Sequence, residues 1–204
     1  ALALGQGRAS ADAAHYRQDG PVLDDDLLDH DGVMTKADIR AITMAHLAPF
    51  PGGMLWDLGA GCGSISVEWA RAGGQAIAVE LEARRTAMIA NNLARFGLGG
   101  VEILCESIAD FLNRDRAAPD AVFAGGGFAS HPDLLMRIWH CLRPGGVLVA
   151  NSVTLEGGMR LQAMQQARPG LLTRIAVERC SRVGSLHALR PAMPILQYCG
   201  RKTG

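Results

Sequence analysis

Apolar residues along the chain follow two rhythms. Short unbroken apolar runs bounded by glycine or proline predict buried strands. Apolar residues recurring every three or four positions predict helices with one covered face. Thr35 predicts an N-cap, with Asp38 three residues on, and the stripe Ile39, Ile42, Met44, Ala45, Leu47 carries a helix to about Ala48. Pro49-Phe50-Pro51 stops it. Met54-Leu55-Trp56 reads as the first strand, and residues 64–72, with Ile65, Val67, Trp69 and Ala70, read as a helix packed on a sheet. Further strands are predicted at 75–79, ending in Glu80, and at 101–104, 120–124 and 147–150. Helices are predicted at 81–96, closed by Gly97, at 107–113, capped by Ser107, at 131–142, with Pro132 in the first turn, and at 155–167. Two last strands, 172–179 and 194–198, have no helix between them. They read as an antiparallel hairpin around a loop containing Gly184 and Pro191.

This alternation implies an α/β fold, a mostly parallel sheet with helices on both faces. Such sheets bind ligands at the carboxyl ends of their strands, where residues 59–63, Glu80, Ser107 and Gly125 fall. Residues 1–31 lack the periodicity. With Gly20-Pro21 and Asp24-Asp25-Asp26 they read as an arm or linker before a single domain at 32–204. Within that arm, Leu23, Leu27 and Leu28 have the spacing of one short amphipathic turn that docks.

Composition narrows the function. Hydrophobic residues are 49% of the chain, enough for a full core, and aromatics only 5%, which argues against a stacking platform for nucleic acid. Net charge is zero, yet residues 1–120 carry 17 acidic and 10 basic residues while 121–204 carry 3 and 10. That asymmetry points either to an anionic partner on the later part of the chain or to acids crowded into the arm. Five cysteines without a C-x-x-C pair argue against a disulfide framework and a zinc site and fit a reducing compartment. The histidines have no H-x-x-x-H or H-x-H spacing, so no metal is expected. Nor is a membrane span, because no apolar run is long enough. A cytoplasmic location is the expectation. The first residue is not Met and the opening residues lack the basic start of a signal peptide, which fits a piece of a longer polypeptide.

The chemistry centres on Asp57-Leu58-Gly59-Ala60-Gly61-Cys62-Gly63, between a strand and a helix. Glycines let the chain turn sharply and approach a ligand, and the new helix points free N–H groups into the same space. The spacing G-x-G-x-G with a preceding acid resembles the motif of class I S-adenosylmethionine (SAM) methyltransferases. A dinucleotide site and a bare strand-to-helix turn are the other readings. Glu80 is placed to accept the ribose hydroxyls of a nucleoside. Ser107 stands where many SAM enzymes carry an acid for the adenine amino group, and Ile108 is placed to cover the adenine face. Gly125-Gly126-Gly127-Phe128 offers no clamp for an exocyclic amine and leaves room for a bulky acceptor. Arg179, Arg182, Arg190 and His187, near the end of the chain, suit several carboxylates or a solvated hairpin tip.

Together with Met34-Thr35-Lys36…Arg40 and Leu142-Arg143-Pro144-Gly145-Gly146…Thr154-Leu155-Glu156, these motifs resemble the decarboxylating precorrin methyltransferases of cobalamin synthesis. This CbiT-type family also forms the C-terminal half of the fused precorrin-6Y C5,15-methyltransferase, and the resemblance spans roughly residues 31–200. Ser107, where relatives carry Asp, is a departure. The resemblance implies a class I, Rossmann-like fold with a seven-stranded sheet. It implies SAM as methyl donor, S-adenosylhomocysteine as product, C-15 methylation of a precorrin and loss of its C-12 acetate carboxyl. It implies a fused N-terminal methyltransferase domain and a homo-oligomer, a tetramer. It places the cofactor at Thr35, Gly59, Ala60, Gly61, Cys62, Gly63, Glu80, Ser107, Ile108 and Gly125, and the substrate at Gly127, Asn151, Arg182, His187 and Arg190. No catalytic residue is assigned; His187, Glu156 and His131 are the candidate proton donors. An RNA or protein-carboxyl methyltransferase, or a SAM-binding module without catalysis, are the alternatives.

Overall fold

The structure, a computed structural model, describes residues 20–203. Five strands alternate with helices: β1 (Met54–Leu58), β2 (Gln75–Glu80), β3 (Val101–Cys105), β4 (Ala121–Ala124) and β5 (Val147–Ser152). The helices are α1 (Ala37–Leu47), α2 (Ser64–Arg71), α3 (Ala83–Arg95), α4 (Ile108–Phe111), α5 (Leu134–Cys141) and α6 (Leu155–Ala167). These five strands pair in parallel. The central ones are apolar on both faces, as parallel strands covered by helices must be. Leu55, Phe123 and Val149 face a core with Ile65, Trp69 and Leu47. Trp56, Leu58, Val122 and Leu148 face the other, with Ile138 and Leu161.

The C-terminal part departs from expectation. The predicted strand at 172–179 is two, β6 (Leu171–Ile175) and β7 (Glu178–Val183), and the predicted loop contains β8 (Leu186–Pro191) before β9 (Ile195–Arg201). The sheet order is β3-β2-β1-β4-β5-β9-β6, and β7-β8 form a separate two-stranded ribbon. β6 and β9 are antiparallel to each other, as expected, and β9 inserts antiparallel between β5 and β6. Leu196 pairs with Ser152. The ribbon therefore leaves the sheet at the edge where β1 to β5 end.

Two N-terminal expectations also change. Helix α1 has Lys36, not Thr35, at its cap position, without a side-chain cap. The described part of the expected arm, from residue 20, lies on the body. Leu23 and Leu28 are buried with Val67, Ile89 and Leu93, around a single 3₁₀ turn at Asp25–Leu27. Burying two leucines contributes roughly 1.5–3 kcal/mol each. A buried cation holds the segment in place. Arg40, with no exposed surface, donates to Glu68 Oε1 at 3.0 Å, to Asp25 Oδ1 at 3.2 Å, to the Thr35 carbonyl at 2.7 Å and to the Leu23 carbonyl.

Candidate functional site

Beyond Leu58 the chain leaves the sheet at Gly59, whose N–H and that of Ala60 both donate to the Val79 carbonyl, at 2.9 and 3.0 Å. Gly59, Gly61 and Gly63 all have positive φ, which side chains disfavour. At Gly59 a Cβ would also lie 3.4 Å from the Gly126 nitrogen, so the first and fourth strand ends approach as bare backbone. The corner encloses one end of a cavity of about 570 Å³, within the usual span of small-molecule sites, roughly 300–1,000 Å³. The cavity lies over the carboxyl ends of the parallel strands, and the N-terminal segment forms one wall through Val33, Met34 and Thr35.

Glu80, at the end of β2, is buried and pre-set. Its Oε2 accepts from Gly61 N at 2.8 Å, and its Oε1 accepts from the N–H groups of Leu81 and Glu82, at 2.9 and 3.1 Å. A carboxylate has about four lone-pair sites, so one remains for a ligand in the cavity that Glu80 lines. Asp57, on β1 just before the corner, is fully buried, and burial pushes its carboxyl up to about 6. The N–H and hydroxyl of Ser66, donating to Oδ2 at 3.0 and 2.7 Å, pull the other way, and the charge of Glu80 adds to the rise. Asp57 Oδ1 has no partner among the described residues. On the far wall, Glu106 Oε2 accepts from Arg114 while its buried Oε1 has no partner among the described residues. Ser107 caps α4 by accepting from Asp110 N at 3.1 Å.

Of the positions expected from sequence, Thr35, Gly59, Ala60, Gly61, Glu80, Ser107, Ile108, Gly125, Gly127 and Asn151 line the cavity. Cys62 and Gly63 do not line it. The Cys62 carbonyl accepts from Asn92 on α3 at 3.0 Å, and a Cβ on Gly63 would lie 2.8 Å from Ile89, so both serve the packing of the corner. Arg182, His187 and Arg190 lie on the β7–β8 ribbon and are not part of the lining. Of the three candidate proton donors His131 alone lines the cavity. Sequence reasoning missed Glu106 and Arg85, which line it as well. Arg85 Nε donates to Asp31 Oδ2 at 2.9 Å and so ties the N-terminal wall to α3. Glu106 stands beside the expected Ser107 and was open to sequence reasoning. The Asp31–Arg85 pair, 54 residues apart, was not.

Among the described residues no cluster of His, Cys, Asp and Glu suits a metal ion, and no helix is long and apolar enough to cross a membrane. A family model described as a precorrin methyltransferase domain matches residues 26–202. A precorrin-6Y C(5,15)-methyltransferase (decarboxylating) of Sinorhizobium sp is 39% identical over 181 residues, which are 88% of this chain and 43% of that protein. A protein of Pyrobaculum aerophilum named "Probable cobalt-precorrin-6B C(15)-methyltransferase (decarboxylating)" is 33% identical over 85% of this chain and 92% of its own length. The crystal structure of the C-terminal domain of precorrin-6Y C5,15-methyltransferase from Rhodobacter capsulatus superposes with a TM-score of 0.84 at 37% identity. The match covers 90% of this chain and 100% of that one.

Proposed function

The chain belongs to the precorrin methyltransferase domain family and has its Rossmann-like fold, and on that premise we propose that it transfers a methyl group from SAM to C-15 of a precorrin and removes the carboxyl of the C-12 acetate. The observation that carries the reading is the cavity itself. Glu80 keeps an unfilled acceptor and Glu106 stands on the next strand end, beside a glycine corner that no side chain obstructs.

The residues suit a bound nucleoside. Glu80 keeps acceptor capacity for ribose hydroxyls, and Ile108, in the same lining, offers an apolar surface suited to an adenine face. With the Ser107 hydroxyl engaged with Asp110 at 2.6 Å, the carboxylate of Glu106, which lines the cavity beside it, is the side chain suited to accept from an exocyclic amino group. When bound, SAM supplies a methyl on a sulfonium centre that needs only a nucleophile in line with it.

The acceptor side asks little acid–base work of the protein. The meso carbon of a reduced tetrapyrrole is enamine-like, so alignment matters more than deprotonation. Gly126 leaves that side open, since a Cβ there would meet nothing within 4 Å, whereas a Cβ on Gly125 or Gly127 would crowd Phe123 or Ile108, at 2.9 and 3.0 Å. As the acetate C–C bond breaks, its electron pair passes into the macrocycle and carbon dioxide leaves. The methylene carbon then takes a proton, and His131 is the group in the cavity suited to deliver it. On the ribbon, Arg179 stands opposite Arg190 and Arg182 opposite His187. Arg179 is already joined by the Asp38 carboxylate, while Arg182 and Arg190 are left to bind other anions. The peripheral carboxylates of a precorrin are such anions.

The test is product mass after incubation of the chain with SAM and precorrin-6Y. One methyl gained and one carbon dioxide lost is expected. Methylation of RNA or peptide in place of the tetrapyrrole, or SAM binding without turnover, overturns the reading. The chain spans 43% of the Sinorhizobium relative, and a fused N-terminal methyltransferase domain and tetrameric assembly are part of the proposal.

A further inference from the structure

A line of buried amides runs from the cavity wall to helix α1. Asn151, on β5, lines the cavity. Its Nδ2 donates to Thr43 Oγ1 at 3.3 Å, and its Oδ1 accepts from Gln197 Nε2 at 2.8 Å. Gln197 Nε2 also donates to Thr43 Oγ1 at 3.0 Å, and Gln197 Oε1 lies 2.8 Å from Nδ1 of the half-buried His46. Thr43, Asn151 and Gln197 are all buried.

Each amide has one donor end and one acceptor end, so the polarity of the line is a single choice. With both amides reversed, the Gln197 oxygen would take the Thr43 proton and an Asn151 N–H. Asn151 Oδ1 would then face Thr43 Oγ1 with no proton between them. The observed polarity pairs a donor with an acceptor at every contact, on the condition that His46 carries its proton on Nδ1. His46 therefore acts on the cavity without touching it. Its N–H holds the Gln197 oxygen, which turns Gln197 Nε2 onto the Asn151 oxygen, which leaves the second N–H of Asn151 for a ligand.

We propose that Asn151 gives this N–H to a substrate carboxylate that the reaction retains, and that His46 is the positioning residue that sets its polarity. The proposal rests on the functional reading above. Asn151 belongs to the acceptor side, because β5 lies beyond β4 from the glycine corner on β1. A donor on the departing carboxylate would oppose its loss, since the charge it stabilises leaves that group as carbon dioxide forms. A donor on a retained carboxylate binds ground and transition states alike and so acts on KM rather than kcat.

Steady-state kinetics with precorrin-6Y at saturating SAM, calorimetric SAM affinity and imidazole nitrogen NMR of the free protein test this together. His46→Asp offers only acceptors and reverses the line. Its KM for the tetrapyrrole should rise about tenfold or more with kcat little changed. His46→Asn replaces the lost N–H and should restore KM, with SAM affinity the same in every variant. The NMR should show the Nδ1–H tautomer. An unchanged KM in His46→Asp, an Asn variant as impaired as the Asp one, a change in SAM affinity, or an Nε2–H tautomer overturns the inference. A parent that does not turn over precorrin-6Y sinks the functional reading and the ligand named here with it, while the tautomer still decides the polarity.

Discussion

Asp57 and Glu80 share the glycine corner but do different work there. Asp57 holds α2 to the corner through Ser66, with its carboxyl raised to about 6 by burial. A carboxyl raised in the folded state binds its proton more tightly than the unfolded chain does. Its contribution is fully present below about pH 4 and is lost as pH rises through about 6. Asp57→Asn should therefore remove a downward slope of up to about 1.4 kcal/mol per pH unit in that window. Chemical denaturation of both proteins at several pH values would show it, and parallel curves would refute it. Glu80 lines the cavity instead. Glu80→Ala should weaken SAM binding by about 1.5–3 kcal/mol, the scale of a charge-assisted hydrogen bond. It also frees the N–H of Gly61, so calorimetry should be read on a variant whose unfolding midpoint is known. An unchanged affinity would take Glu80 out of the site.

At the scale of elements, the β7–β8 ribbon and the N-terminal segment flank the cavity differently. The segment is fixed by buried leucines and by Arg40, so Val33, Met34 and Thr35 form a standing wall. The ribbon makes its pairings within itself, exposes Leu186 and Leu189, and is tied to α1 by Arg179 with Asp38. Arg182→Ala or Arg190→Ala should raise KM for the tetrapyrrole about tenfold, on the order of 1.4 kcal/mol, and leave SAM affinity unmoved. An unchanged KM would make these arginines only the solvated face of a ribbon. Local signals made most elements legible: periodicity for the helices, apolar runs for the strands, Ser107 for the cap of α4. They failed at 180–191, where exposed strands carry no alternation of buried and open positions and look like a loop.

For the whole molecule, the electroneutral sum hides a basic second half, 10 basic against 3 acidic residues over 121–204. A chain without net charge attracts a polyanion only through local fields. Added salt should weaken tetrapyrrole binding more in the parent than in the Arg182 or Arg190 variants, because screening acts on the interaction they have lost. Equal salt sensitivity in a titration of all three would count against it. The sequence by itself determined the order of strands and helices, the glycine corner and the acid at the end of β2, because each depends on residues adjacent in the chain. Tertiary structure decided what depends on distant partners. It put β9 between β5 and β6, turned Cys62 and Gly63 into packing, and closed one wall with residues 33–35. It also gave Asn151 its direction through Gln197 and His46, residues 46 and 151 positions removed from the groups they bind. Donors and acceptors so far apart in sequence acquire a polarity only when the fold shuts them away from water together.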